Sequence, residues 1–303
     1  MSRTRYIISV GQSIITNYLK RTKMDYPEFK KFNFKNIYKG ILPSELQQLK
    51  RDIYEDLKEI KNNSPKSVYL QKNSAEINTF LSISPQPDLI QSEIFLITSH
   101  SVEGYFAGMV IKKILQEIEG YKNVVVEYVE HLSMDDINMF KNVGIINLIK
   151  KITKLVQDAK TNKYNVIINA TGSYKPVSAF FIFTGMLLET PVHYGHEQGE
   201  LLELPVIPMQ YKTTLWNSCN IALLNNLYEK GSIDRKLWYK LSKQARYNIE
   251  YIIEDKGENN VSLSYAGKLI LSVYFGTKKM LWWRKCLLDL YWKKIFLVIF
   301  TLL

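Results

Sequence analysis

Short apolar runs alternate with helical patterns along the first two thirds of the chain. Five runs rich in β-branched or aromatic residues predict strands, at residues 6–10, 94–97, 124–129, 164–168 and 191–194. Between them, apolar residues recur at helical spacing, most clearly after Ser13, after Ser101 and over 177–188. Strands joined by helices predict an α/β fold with a doubly wound parallel sheet and right-handed crossovers.

Three segments depart from this alternation. Residues 22–43 are basic and aromatic without clear periodicity, and a helix is predicted from Pro43 to about Lys61, which we interpret as a side insertion. A second helix is predicted over 74–81, before a loop that contains two prolines. The helical region at 135–160 is interrupted near Gly144.

Turns rich in hydroxyl groups follow three of the predicted strands, at residues 9–13, 98–101 and 169–175. The carboxyl ends of parallel strands meet at one edge of a sheet, and ligands bind at that edge in open α/β folds. The third turn combines the flexible Gly172 with the cation Lys175, which suits a phosphate. For the first and third turns the alternative is that the Ser and Thr hydroxyls only cap the following helix.

Composition narrows the possible chemistry. A net charge of +11 and a pI of 9.3 favour an anionic partner, although scattered lysines on solvated helices produce the same balance. The two cysteines form no CxxC motif, so we expect no metal site and no disulfide framework, and they fit a reducing cytoplasm. The N-terminal segment has no signal-peptide cleavage pattern. The absence of GxGxxG disfavours a dinucleotide-dependent enzyme, and we predict no cofactor.

An ordered set of motifs resembles one known family. The segments SVGQSIITN, SAEIN, ITSHSVEG and NATGSYKP, followed by PVHYGHEQGELLELPVIP, are similar to CARF domains of CRISPR-associated proteins, in the subfamily that carries a winged-helix-like region. The resemblance covers about residues 5–210. It implies a Rossmann-like fold, a homodimer and a cyclic oligoadenylate ligand made by type III CRISPR complexes.

The resemblance also assigns site residues. The family's first turn falls on residues 9–13 and its NxTGGxK motif on residues 169–175, where this chain has Ser173 instead of the second glycine. The usual SDT of the middle motif is Ser99-His100-Ser101 here. The residues expected to act in catalysis are Ser13 and Lys175. The residues expected to contact the ligand are Ser9, Gly11, Gln12, Asn17, Ser99, Ser101, Gly104, Asn169, Thr171, Gly172, Ser173 and Glu197.

Two functions follow from the resemblance. Some CARF proteins cleave their ligand without a metal by orienting a ribose 2′-OH in line with the phosphorus, and the leading prediction is a ring nuclease of this kind that acts on cyclic tetra-adenylate. The alternative is a sensor without catalysis, or a truncated effector, in which the ligand controls a C-terminal domain or a partner. His193, His196 and Glu197 are candidates for acid or base assistance, or are packed or surface residues.

The character of the sequence changes beyond residue 210. Helices are predicted over 220–230 and 235–253, then a strand at 261–263 and a final helix from Tyr265. This resembles the winged-helix-like region, so we predict domains at 1–210 and 211–303. The resemblance implies that this region serves as a dimer brace or connector, with nucleic-acid or membrane contact as alternatives. The basic, aromatic tail at 280–303 is predicted to be a packed terminal helix, or a segment that lies on a membrane surface.

Overall fold

The computed structural model describes residues 3–83, 90–195, 201–204, 218–239, 252–255 and 259–275. The chain divides into two compact units, Met1–Met209 and Gln210–Leu303. The predictions for His196, for Glu197 and for the tail at 280–303 lie outside the described residues.

A six-stranded sheet organises the first unit, with the order β3-β2-β1-β4-β5-β6. Its strands are β1 (Thr4–Ser9), β2 (Glu93–Thr98), β3 (Asn123–Tyr128), β4 (Asn165–Asn169), β5 (Val192–Gly195) and β6 (Leu201–Leu204). Neighbouring strands are parallel except β5 and β6, which are antiparallel. The Rossmann-like α/β fold is therefore confirmed, and all five predicted strands are present.

The sixth strand was not predicted. The residues of β6 are exposed or half-buried, as is typical of an edge strand, and a run of four residues shows too little alternation to indicate one. Its pairing with β5 decides its conformation, because each residue of β6 lies opposite one residue of β5, from Val192 and Leu204 to Gly195 and Leu201.

Helices cover the sheet of the first unit. They are α1 (Ser13–Thr22), α2 (Phe34–Tyr38), α3 (Ser44–Asn63), α4 (Lys66–Lys72), α5 (Ala75–Ile83), α6 (Val102–Glu117), α7 (Ile137–Met139), α8 (Ile145–Thr161) and α9 (Lys175–Leu187). The predicted interruption near Gly144 is a π-helical turn, Phe140–Gly144. A Cβ placed on Gly144 would lie 2.3 Å from the carbonyl oxygen of His131, so the loop after β3 can pass this close only to a glycine.

The interpretation of α3 as a side insertion was wrong. Leu46, Ile53 and Leu57 of this helix are at most 1% exposed, and they belong to the same core as Phe106 of α6. α3 packs on α6 because its apolar residues recur every three or four positions and so share one face. Helix α3 is therefore part of the core of the first unit.

The second unit has its own small core. It contains α10 (Ser218–Lys230), β7 (Ser232–Asp234), α11 (Arg235–Tyr239), β8 (Ile253–Asp255), β9 (Asn260–Leu263) and α12 (Tyr265–Phe275). Three antiparallel strands have the order β7-β9-β8. The prediction of one or two helices over 235–253 was wrong at its end, because Ile253 pairs with Leu263 of β9 and this pairing overrides the local helical pattern. The winged-helix-like assignment stays a prediction.

None of the helices in the described ranges has the length and apolar character required to cross a membrane. Nor do the same ranges contain a group of three or more His, Cys, Asp or Glu side chains that could hold a metal ion.

Candidate ligand-binding site at the carboxyl edge of the sheet

The three hydroxyl-rich turns meet at one edge of the sheet. β1 pairs with β2 on one side and with β4 on the other, and all three strands run in the same direction. The strand order reverses between β1 and β4, and such a switch point opens a crevice outside the carboxyl ends of the strands. The turn after β1 and the turn after β4 border this crevice, and the turn after β2 lies next to them.

Ser9 and Gly172 hold the turns after β1 and β4 together. The Ser9 hydroxyl donates to the carbonyl oxygen of Gly172 at 2.6 Å, and Ser9 is 0% exposed. A Cβ placed on Gly172 would lie 2.2 Å from the carbonyl oxygen of Ser9, and a Cβ on Gly11 would lie 2.5 Å from the backbone nitrogen of Ser173. At both positions the neighbouring backbone is too close for any residue larger than glycine. The buried hydroxyl of Ser9 links the two turns.

Glu76 of α5 connects the same two turns, and sequence reasoning assigned it no role. It is 1% exposed, and its Oε1 accepts the N–H of Gly11 at 2.6 Å. Its Oε2 accepts the hydroxyl of Ser13 at 2.5 Å. A buried carboxylate is stabilised by such donors, which replace the water it has lost. The signal that could have identified Glu76 is an acid on the apolar face of a short helix, one turn before the fully buried Phe80.

Asn169 extends this network into the turn after β4. Its Nδ2 donates to the backbone oxygen of Glu76 at 3.0 Å, and its Oδ1 accepts the N–H of Thr171 at 3.1 Å. Thr171 in turn accepts the N–H of Gly195 on its Oγ1 at 2.8 Å. Asn169 is 1% exposed, so its amide shapes the turn from behind.

Ser13 does not cap α1. It is the first residue of that helix, and its hydroxyl bonds to α5: it donates to Glu76, and it accepts the N–H of Ala75 at 3.1 Å. The side chains of the turn after β4 do not cap α9 either, because the residue before that helix is Tyr174 and no side chain caps it. The capping interpretation is therefore wrong for these two turns.

Gln12 and Asn17 have different surroundings. Gln12 is exposed, its Nε2 donates to Glu103 of α6 at 2.9 Å, and its Oε1 accepts the hydroxyl of Tyr26 at 3.1 Å. Burial, followed by the charge of Glu103, raises the pKa of Tyr26 to about 12, so this phenol stays a donor. Asn17 donates to the backbone oxygen of Asn73 at 2.8 Å, on the side of α1 that faces the connection to α5. The structure therefore does not bring Asn17 to the turns.

One serine of the turn after β2 caps the following helix. Ser101 precedes α6 and accepts the N–H of Gly104 at 3.1 Å, while its hydroxyl lies 2.9 Å from that of Ser99. His100 accepts the N–H of His131 on its Nδ1 at 3.2 Å. Burial, followed by the charge of His131, lowers the pKa of His100, so the neutral ring is favoured.

Rings surround His100 on several sides. The aromatic cluster consists of Phe34, Tyr38, His100, Tyr105 and Tyr128, with neighbouring ring centroids 4.7 to 6.4 Å apart. The His100 ring stacks on that of Tyr128 at 5.1 Å, and the edge of Phe34 meets it at 4.7 Å. Segment 22–43, which showed no clear periodicity, supplies two of these rings and so borders the site.

The turn after β4 ends in an exposed cation. Lys175 is the first residue of α9 and is exposed, and within the described ranges its ammonium group makes no hydrogen bond or ion pair. Ser173 has φ of +83°, a left-handed conformation that favours glycine, which explains why the resembling motif has glycine there. The Ser173 hydroxyl is buried and has no hydrogen-bond partner among the residues the structure describes. His193 lies opposite Asn169 on β5, and burial lowers its pKa.

The fold and this edge define an α/β protein whose switch point presents a hydroxyl, from Ser13, and a cation, from Lys175. Residues 71–207 match the family described as CRISPR-associated protein (Cas_APE2256). The resemblance to CRISPR-associated proteins is therefore confirmed over this range, which contains Glu76 and the turns after β2 and β4.

Individual proteins support the resemblance less strongly than the family match does. No curated protein matches the chain. A similar solved structure is that of Can2 from Sulfobacillus thermosulfidooxidans in complex with cyclic tetra-adenylate, at 10% identity and a TM-score of 0.26. The match covers 63% of this chain and 59% of that one. This TM-score is too low to carry an assignment of fold or ligand.

Proposed function

We propose that this protein binds a cyclic oligoadenylate of type III CRISPR signalling, with cyclic tetra-adenylate as the first candidate, and cleaves it as a metal-independent ring nuclease. In this proposal residues 1–210 form a CARF domain and residues 211–303 a winged-helix-like region. The protein acts in the cytoplasm as a homodimer, in which each copy presents the same edge to a symmetric ring.

One observation carries the proposal: a half-buried serine and an exposed lysine, which has no ion pair among the described residues, lie on two turns that buried contacts join at the switch point. Ser13 is half-buried and Lys175 is exposed. Ser9, Glu76 and Gly172 join their turns behind them. A ribose hydroxyl needs a polar partner and a phosphate needs a cation, so this pair suits a ribose-phosphate linkage. The CRISPR-associated family match over residues 71–207 supports the class of ligand.

In this proposal, cleavage of the ring depends on the orientation of a ribose 2′-OH and on a positive charge beside the phosphate. A ribose 2′-OH attacks the adjacent phosphorus, the bond to the 5′ oxygen breaks, and the products are a 2′,3′-cyclic phosphate and a 5′-OH end. Holding the 2′ oxygen in line accelerates this step, and a cation beside the phosphate stabilises the charge that develops there. Lys175 takes the second role in this proposal, and Ser13 orients the ribose.

A second candidate is a sensor that binds the ring without cleaving it. The observation that favours it is that several polar groups expected to contact the ligand already have partners within the protein. The N–H of Gly11 and the hydroxyl proton of Ser13 go to Glu76, and the amide of Asn169 bonds within the protein. Few catalytic donors then remain, and ligand binding would act by favouring one of two states.

One experiment tests both candidates. The full chain is incubated with cyclic tetra-adenylate or cyclic hexa-adenylate in EDTA, and bound and cleaved nucleotide are separated by chromatography. The ring nuclease predicts linear products with 2′,3′-cyclic phosphate ends in EDTA. Binding without products supports the sensor, and failure to bind either ring overturns the proposed function.

A further inference from the structure

The hydroxyl group of Ser13 has little hydrogen-bonding capacity left. A serine hydroxyl offers one proton and two lone pairs. Its proton goes to Glu76 Oε2 at 2.5 Å, and one lone pair accepts the N–H of Ala75 at 3.1 Å. One lone pair remains for anything outside the protein. Toward a ligand, therefore, Ser13 is an acceptor of hydrogen bonds and not a donor.

Other contacts hold Glu76 in place, so its Oε2 remains the acceptor for the hydroxyl proton of Ser13. Its other carboxylate oxygen accepts the N–H of Gly11 at 2.6 Å, and its backbone oxygen accepts the amide of Asn169 at 3.0 Å. The backbone of Gly172 also presses on it, because a Cβ placed there would lie 2.3 Å from Glu76 Cγ. At 1% exposure Glu76 lies behind Ser13, which is itself half-buried, so a ligand would touch Ser13 and not Glu76.

We propose that Glu76 is a positioning residue that fixes Ser13 as a hydrogen-bond acceptor, so that Ser13 receives the 2′-hydroxyl of a ribose. This inference rests on the proposed function and specifies the recognition at that site. An ionised phosphate oxygen has no proton to donate to Ser13, so the phosphate binds Lys175 in this proposal. The 2′-hydroxyl has a proton to give and is the group that distinguishes ribose from deoxyribose.

The inference is tested by binding, without any need for cleavage. The probes are cyclic tetra-adenylate and its all-2′-deoxy analogue, with affinities for the full chain measured by titration calorimetry. Each hydrogen bond corresponds to a factor of roughly threefold to tenfold, and the proposed dimer makes one in each copy, so the expected preference for the ribose ring is roughly tenfold to a hundredfold. Ser13→Ala removes the acceptor and is expected to bind the two rings equally.

Glu76→Gln tests the positioning role at nearly constant shape. Its carboxamide must point an oxygen at the N–H of Gly11, which leaves its NH₂ facing Ser13. Ser13 then accepts from Gln and from Ala75, its proton becomes free, and the preference for the ribose ring is lost. If this variant does not fold, Glu76→Asp replaces it, since the shorter side chain draws the carboxylate away from Ser13; the same loss is expected.

A matched control removes a similar bond elsewhere. Tyr69→Phe deletes an O–H donated to Glu119 at 2.6 Å and is expected to keep the wild-type preference. Retention of the preference in Ser13→Ala, or in the folded Glu76 variant, overturns the inference. Wild-type protein that binds both rings equally overturns this inference alone. Wild-type protein that binds neither ring overturns the proposed function as well.

Discussion

The turns after β1 and β4 are joined by close backbone contacts and by hydrogen bonds from Ser9 and to Glu76, whereas the turns after β2 and β3 are joined by rings. In the first pair, Glu76 takes donors from Gly11 and Ser13, and two glycines leave no space for a side chain. In the second pair, His100 stacks on Tyr128 and accepts the N–H of His131.

The two pairs of turns therefore differ in how much movement of their residues they permit. Hydrogen bonds to a buried charge are directional, and close backbone contact permits little movement, so the first pair holds Ser13 in one orientation. Ring contacts are less directional, and Ser101 in the turn after β2 caps α6. We therefore expect the first pair to carry the recognition of ribose and phosphate, and the second to support its shape.

The largest expected effect breaks the packing of the first pair. In Gly172→Ala the new Cβ meets the backbone of Ser9 at 2.2 Å, which cannot rotate away, and we expect a loss of about 3 kcal/mol in the free energy of unfolding. In Gly104→Ala the new Cβ meets the hydroxyl of Ser99 at 2.0 Å, which can rotate, and helix propensity offsets part of the cost. That variant should lie within about 1 kcal/mol of wild type in urea unfolding. If Gly172→Ala and Gly104→Ala lower the free energy of unfolding equally, the two pairs of turns do not differ in the movement they permit.

Removal of the exposed cation is expected to affect binding and not stability. Lys175→Ala should weaken the affinity for cyclic tetra-adenylate at least tenfold, because a charged hydrogen bond contributes about 1.5–3 kcal/mol. Its melting temperature should stay unchanged, since Lys175 is exposed. The control is Lys66→Ala, which removes an exposed lysine that is likewise the first residue of a helix. A similar loss of affinity in the control would show that only net charge matters.

Relief of strain in the turn after β4 should stabilise the protein. Ser173 has φ of +83° and a buried hydroxyl without a partner among the described residues. Ser173→Gly removes both costs, and we expect a gain of about 1 kcal/mol in the free energy of unfolding, measured in urea. A loss of stability would mean that the hydroxyl has a partner that matters more than the backbone strain.

The smallest expected effect is a pH dependence from the second pair of turns. Burial lowers the pKa of His100 in the folded state below its ordinary value of 6.5. As the pH falls below 6.5, the unfolded chain takes up this proton first, so stability is full above that pH and decreases below it. The melting temperature should therefore drop between pH 7.5 and 5.5. His100→Asn keeps an acceptor for the N–H of His131 and should make the drop smaller, and an unchanged drop would assign it to other groups.

The sequence by itself determined the strands, the turns and the order in which they occur. Parallel strands buried on both faces consist of continuous β-branched runs, and the five predicted strands therefore lie within two residues of their observed positions. The alternation of strands and helices predicted a parallel sheet with its turns at one edge, whereas the strand order, and with it the switch point between β1 and β4, came from the structure. Lys175 could be identified because a cation beside a glycine turn is a local pattern.

Only the tertiary structure decided what the polar groups of the turns do. Glu76 lies 63 residues from Ser13 in the chain, and no local pattern links them. The backbone of Ser173 lies against Gly11 of another turn, and β6 exists through pairing with β5. A hydroxyl in a sequence is both donor and acceptor, and its role is settled by which buried partner takes its proton. That partner is brought near by packing, which the periodicity of the chain does not specify.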